Sequence, residues 1–206
     1  MAYSDFTLPG VRKAFDLTFQ EDRTLFEAVS TVTPSDLLTT ALKENTTLAV
    51  AVNSEKARSE FLIAPILSEV RRQLNYHIGL FSGSEFNVDS QVGLNGYCDF
   101  ILCRGKEQYF ITAPVLTVIE AKNENISGGL GQCIAAMVAA QLFNQQNDTD
   151  IDMIYGAVTT GTNWKFLTLT EKNVAIDAGE YYIKEVSKIL GILMLPFSET
   201  RQPMAV

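Results

Sequence analysis

The sequence predicts a mixed α/β fold, a central β-sheet flanked by helices, and three observations carry that expectation. Five short runs rich in β-branched and aromatic residues are interleaved with segments of helical periodicity. The first three runs are joined by turn-forming residues, whereas an Ala-rich helical segment separates the third from the fourth, so antiparallel neighbours must mix with a right-handed crossover. At 206 residues, 47% hydrophobic and 19% charged, the chain is long enough to bury a core without staples. No repeat, low-complexity tract or linker divides it. Residues 1–206 therefore read as one domain, with 1–53 a helical N-terminal cover and 54–170 the core.

Val11 to Phe19 and Leu25 to Val29 read as short helical pieces. Thr33-Pro34-Ser35-Asp36 supplies an N-cap, a proline at the first helical position and an early acid, predicting a helix to about Asn45. Ser54 caps a long segment, Glu55 to Asn75, in which Ile63, Leu67, Val70 and Leu74 recur at helical spacing and Pro65 predicts a kink. At 100° per residue Glu60 falls beside that stripe, Glu69 points almost opposite, and Glu55 faces further away than Glu60. Strands are expected at Leu80 to Val88, Gly96 to Arg104, Val115 to Ala121, Ile154 to Thr160 and Trp164 to Thr170. Gly93-Leu94-Asn95-Gly96 marks the first turn, and Gly105 to Gln108 opens a longer connection that Pro114 closes. A helix from Leu130 to about Asn144 presents Ala135, Ala136, Ala139 and Ala140 for close packing, and Tyr181 to Leu195 forms a last amphipathic helix. Tyr155 and Trp164 read as packing residues of the core or hairpin.

Several function classes are disfavoured. The net charge of −8 speaks against a broad electrostatic grip on duplex nucleic acid, though not against a small cleft whose acids a metal neutralises. No apolar run is expected to reach the length of a membrane span and no signal peptide opens the chain, so the expected location is cytoplasmic, with no membrane partner. Cys98, Cys103 and Cys133 follow no zinc spacing and read as buried thiols, the first two on opposite faces of one strand. The single histidine, His77, has no partner motif, which removes histidine-based triads from consideration. No G-x-G-x-x-G fingerprint of a nucleotide cofactor occurs.

Chemistry concentrates in Asp99 and in Glu120-Ala121-Lys122. Alternation along a strand puts Glu120 and Lys122 on one face, and hairpin pairing of the two runs would bring Asp99 beside them. Two carboxylates next to an ammonium form a divalent-metal site with a lysine near its water. The bland alternative is a turn-proximal acid and a solvated ion pair, but Phe100, Ile101, Val118 and Ile119 imply central strands, where charges need a reason. Gly128, Gly129 and Gly131 at the start of the following helix allow close approach of an anion, or simply a tight strand-to-helix turn.

An acid, a spacer and then acid-x-lysine resembles the PD-(D/E)XK, or restriction endonuclease-like, nuclease superfamily. Gln132 on the helix that follows, and Tyr155-Gly156-Ala157-Val158-Thr159-Thr160-Gly161-Thr162-Asn163-Trp164, resemble the nuclease domains of type I restriction subunits and their small relatives. The likeness spans roughly Ser54 to Thr170. It implies a restriction endonuclease-like sheet and an Mg2+- or Mn2+-dependent nuclease acting on nucleic acid, with DNA the expected partner and a protein partner or homodimer compatible with it. It implies a metal held by Asp99, Glu120 and the Ala121 carbonyl, with Gln132 near its water; Lys122 would position or deprotonate that water, and burial beside a metal would lower its pKa. It also implies a glutamate from the helix before the sheet, matched to Glu60. The alternative is a catalytically inactive module on the same scaffold.

Overall fold

Strand-forming runs in the sequence assemble into one mixed sheet in the computed structural model, which describes residues 1–149 and 151–198. Its strands are β1 (Thr18–Gln20), β2 (Ile78–Glu85), β3 (Tyr97–Arg104), β4 (Val115–Ala121), β5 (Ile154–Thr159), β6 (Asn163–Thr170), β7 (Asn173–Ile176) and β8 (Tyr181–Tyr182). The order across the sheet is β1-β7-β6-β5-β4-β3-β2, with β8 against β6. The pairs β4–β5 and β1–β7 are parallel and all others antiparallel. Every residue of β4 and β5 is buried, as parallel strands covered on both faces require.

Helices cover both faces. On one side lie α1 (Leu8–Phe15) and α5 (Ile126–Gln146), where Cys133, Ile134 and Met137 meet Ile101, Val118 and Val158. On the other lie α2 (Asp36–Val52), α4 (Ala64–Gln73) and α6 (Val186–Ser198), where Ile63, Ile66 and Leu67 share a core with Phe100, Ile119, Trp164 and Ile189. Trp164 is fully buried and stacks on Phe166 with ring centroids 5.9 Å apart, as its packing role predicts.

The long segment after Ser54 is helical throughout but not uniform. α3 (Glu55–Arg58) passes through a π-helical turn, Ser59–Ile63, into α4. Pro65 has no N–H to donate, and the turn just ahead of it widens into the π-helical form. Glu69, expected to point away, is fully buried because α2 packs on its side. It accepts from Ser35 N at 3.0 Å and Ser35 Oγ at 2.9 Å and pairs with Arg72.

Other expectations need correction. The N-terminal cover is not purely helical: β1 adds an edge strand, and no helix forms over residues 25–29. Ser35, not Thr33, caps α2, which runs seven residues beyond Asn45 to Val52. β7 follows a hairpin turn at Glu171 (φ 52°), a left-handed position held without glycine, and so carries no turn signal. Residues 181–185 open the last helical region as β8 and a 3-10 turn. Cys98 and Cys103 belong to one core layer, because the β2–β3 ladder lapses at Gly83 (φ 58°) opposite Asp99 and simple alternation does not carry through. α5 is in fact long and apolar enough to cross a membrane, and in this fold packs onto the sheet. All three cysteines are buried free thiols, as expected.

Candidate active site

The site arises where two strands part. The β3–β4 ladder ends at Phe100 and Ile119, whereas β4 follows β5 two residues further, to Ala121 and Thr159. Lys122 N then donates to Thr159 O at 2.8 Å. Past the parting, Ala121 N–H has lost its β3 carbonyl, and Asp99 Oδ2 accepts from it instead at 2.7 Å. Continuing the register places Asp99 opposite Glu120, close enough for its charge to act on the Glu120 carboxyl. The N–H and C=O of one strand residue leave by the same edge, so the Ala121 carbonyl also faces the β3 side.

Lys122 ties the pair to the helices. Its Nζ lies 2.5 Å from Glu120 Oε1, 3.5 Å from Gln132 Oε1 and 3.9 Å from Glu55 Oε2. A Cβ at Gly129 would lie 3.1 Å from Lys122 Cε and 2.7 Å from Val158 Cγ1, so α5 can cross the lysine stem only with glycine there. Asn125 Oδ1 accepts from Gly128 N at 3.0 Å and caps this helix.

Burial governs the electrostatics. Glu120 is 4% exposed; desolvation, then the Asp99 charge, push its carboxyl up to about 8, while Lys122 pulls it down. Desolvation would lower the Lys122 ammonium, but the Glu120 hydrogen bond and the charges of Glu120, Glu55 and Asp99 together raise it. In the protein without a metal three carboxylates thus outweigh burial, and the depression expected beside a bound ion concerns the occupied site. Desolvation, partly offset by Lys122, also raises Glu55.

Asp99, Glu120, Ala121, Lys122 and Gln132 therefore come together as the sequence predicts, and Glu60 does not. Its side chain is 54% exposed and pairs with Lys56 at 2.6 Å, and the helical acid at the site is Glu55. The π turn explains the error. It inserts about one extra residue per turn, so a constant 100° count from the apolar stripe misplaces the residues ahead of it.

Two further residues brace the site without a sequence signal. Arg58, 7% exposed, donates to Asn53 Oδ1 at 3.1 and 3.0 Å, to Thr160 O at 2.9 Å and to Thr162 Oγ1 at 3.3 Å. Asn53, left-handed at the end of α2, donates to Glu124 Oε1 at 2.6 Å. Helix, β5–β6 turn and the loop after Lys122 are thereby fixed to one another.

Among the described residues no three His, Cys, Asp or Glu side chains gather to cage a metal ion, so the expected ligand set with Glu60 is not assembled. The remaining set still fits a magnesium-like ion. Two facing carboxylates and a carbonyl offer hard oxygen donors, and this ion keeps several waters rather than needing a full protein cage. Glu120 is raised first by desolvation and second by the Asp99 charge, and a cation would offset both. Comparisons with protein-family models, curated proteins and solved structures give no match.

Proposed function

We propose that the chain is a divalent-metal-dependent nuclease with a restriction endonuclease-like fold, acting on phosphodiester bonds of nucleic acid, DNA being the expected substrate. The observation that carries this reading is the convergence of Asp99, Glu120 and Lys122 where β3 and β4 part, next to Gln132. Asp99, Glu120 and the Ala121 carbonyl would hold the ion. When bound, it would acidify water and neutralise charge at the phosphate.

The chain's own groups supply the rest. Lys122, kept cationic by its carboxylates, is suited to orient a water and to donate to a phosphoryl oxygen rather than to abstract a proton in the metal-free state. Gln132 fixes the ammonium from the α5 side. Glu55, raised and partly exposed, can hold a second ion or a water, the role matched to Glu60 from sequence.

The test is incubation of the protein with single- and double-stranded DNA and RNA in Mg2+ or Mn2+. Cleavage is expected, with Lys122→Ala reducing it by roughly a hundredfold or more. No cleavage of any substrate, or equal cleavage by Lys122→Ala, would leave the inactive scaffold as the better account.

A further inference from the structure

Away from Asp99, toward the β3–β4 connection, a cleft of about 600 Å3 opens between α2, α4 and β2. Leu37, Ala41, Pro65 and Leu80 give it aliphatic walls, and Leu37 is 66% exposed. Arg71 and Tyr76 line the same space. We propose that this cleft binds an aliphatic carboxylate, with Arg71 as the group that receives the anion.

The charge pattern supports an anion. In a chain of net charge −8, Arg71 pairs with no carboxylate among the described residues, whereas its neighbour Arg72 is satisfied by Glu69 and Ser35. Arg71 is half-buried, and its Nε donates to Ile78 O at 3.3 Å, which fixes the plane of the guanidinium. The terminal nitrogens are left to meet a planar two-oxygen partner, the geometry for which a guanidinium is best suited.

The closure of α4 places the ring that lines the cleft: Asn75 N and Tyr76 N donate to Arg72 O and Arg71 O, each at 2.9 Å. Asn75 and Tyr76 are both left-handed, at φ 53° and 58°. Asn tolerates that region, but a tyrosine there is strained. This helix end sets the half-exposed ring beside Arg71, 5.0 Å from the guanidinium carbon. A ring serving the core would be buried; this one supports a cation facing an open cleft. Ser68, Arg72 and Gln108 also line the cleft, its aliphatic part suits a saturated chain, and the volume falls within the range of small-ligand sites.

Calorimetric titration tests the assignment independently of nuclease activity. Octanoate should bind saturably at one site. Octanol and inorganic phosphate, each lacking half of the chemistry, should bind about tenfold more weakly or worse. Arg71→Gln and Arg71→Lys should each weaken octanoate by about tenfold, the second because it keeps charge but loses the fork. Tyr76→Asn, compatible with the left-handed backbone, should weaken binding without lowering Tm. A short peptide ending in leucine and a free carboxylate forms the second arm. Tighter binding of that peptide, still dependent on Arg71, would support the site and identify a chain terminus as its source. No saturable binding of either carboxylate, equal affinity for octanol, or indifference to Arg71→Gln would overturn the proposal.

Discussion

Glu120 carries two opposed demands. Burial and the facing Asp99 favour its protonated form, while a bound cation would require the carboxylate. Its folded-state pKa, pushed up to about 8, exceeds the ordinary 4.5, so between those values the folded protein holds the extra proton. The stability from this group is fully present below about 4.5 and is lost as pH rises through about 8. Urea unfolding in chelator should accordingly show stability falling between pH 5 and 8.5, by on the order of 1 kcal/mol per pH unit within the window. Glu120→Gln, neutral throughout, should flatten that slope, and an unchanged slope would remove Glu120 as its source. A divalent ion should reduce the wild-type decline and leave the variant unaffected.

At the scale of elements, the site depends on how closely α5 and the helix starting at Glu55 approach the ends of β4 and β5. Gly129→Ala places a methyl against Val158 and the Lys122 stem, which should cost about 1–3 kcal/mol and loosen the lysine. Thermal unfolding measures the first effect and cleavage rate the second; an unchanged Tm would contradict the packing argument. Arg58→Met removes a clamp and leaves Thr160 O and Asn53 Oδ1 without donors, an expected loss of about 2–3 kcal/mol by denaturant titration. β3, β4 and the triad were legible because alternation and apolar flanks are local signals. Glu55 was not legible, because a π turn changes the helical phase by an amount that no propensity shows. Arg58 is surrounded by ordinary helix formers, and nothing local announces a buried guanidinium. β1 and β7 are three and four residues long and stabilise one another across the fold, so their existence is a tertiary fact.

For the whole molecule, three layers hold a small charged notch at one end of an apolar sheet, on a chain of net charge −8. Long-range repulsion from nucleic acid should dominate until the notch is neutralised. Anisotropy with labelled DNA should show weak binding in chelator and clear strengthening with Ca2+, which replaces Mg2+ at oxygen sites. Equal affinity in both conditions would detach nucleic-acid binding from Asp99 and Glu120. The central claim is that these two carboxylates jointly hold one divalent ion beside Lys122, and crystals soaked in Mn2+ test it most directly. Anomalous density is expected at about 2.0–2.6 Å from an oxygen of each carboxylate and near the Ala121 carbonyl, and should be absent in Asp99→Asn. No such peak in the wild type at saturating Mn2+, or an undiminished peak in Asp99→Asn, would contradict the account.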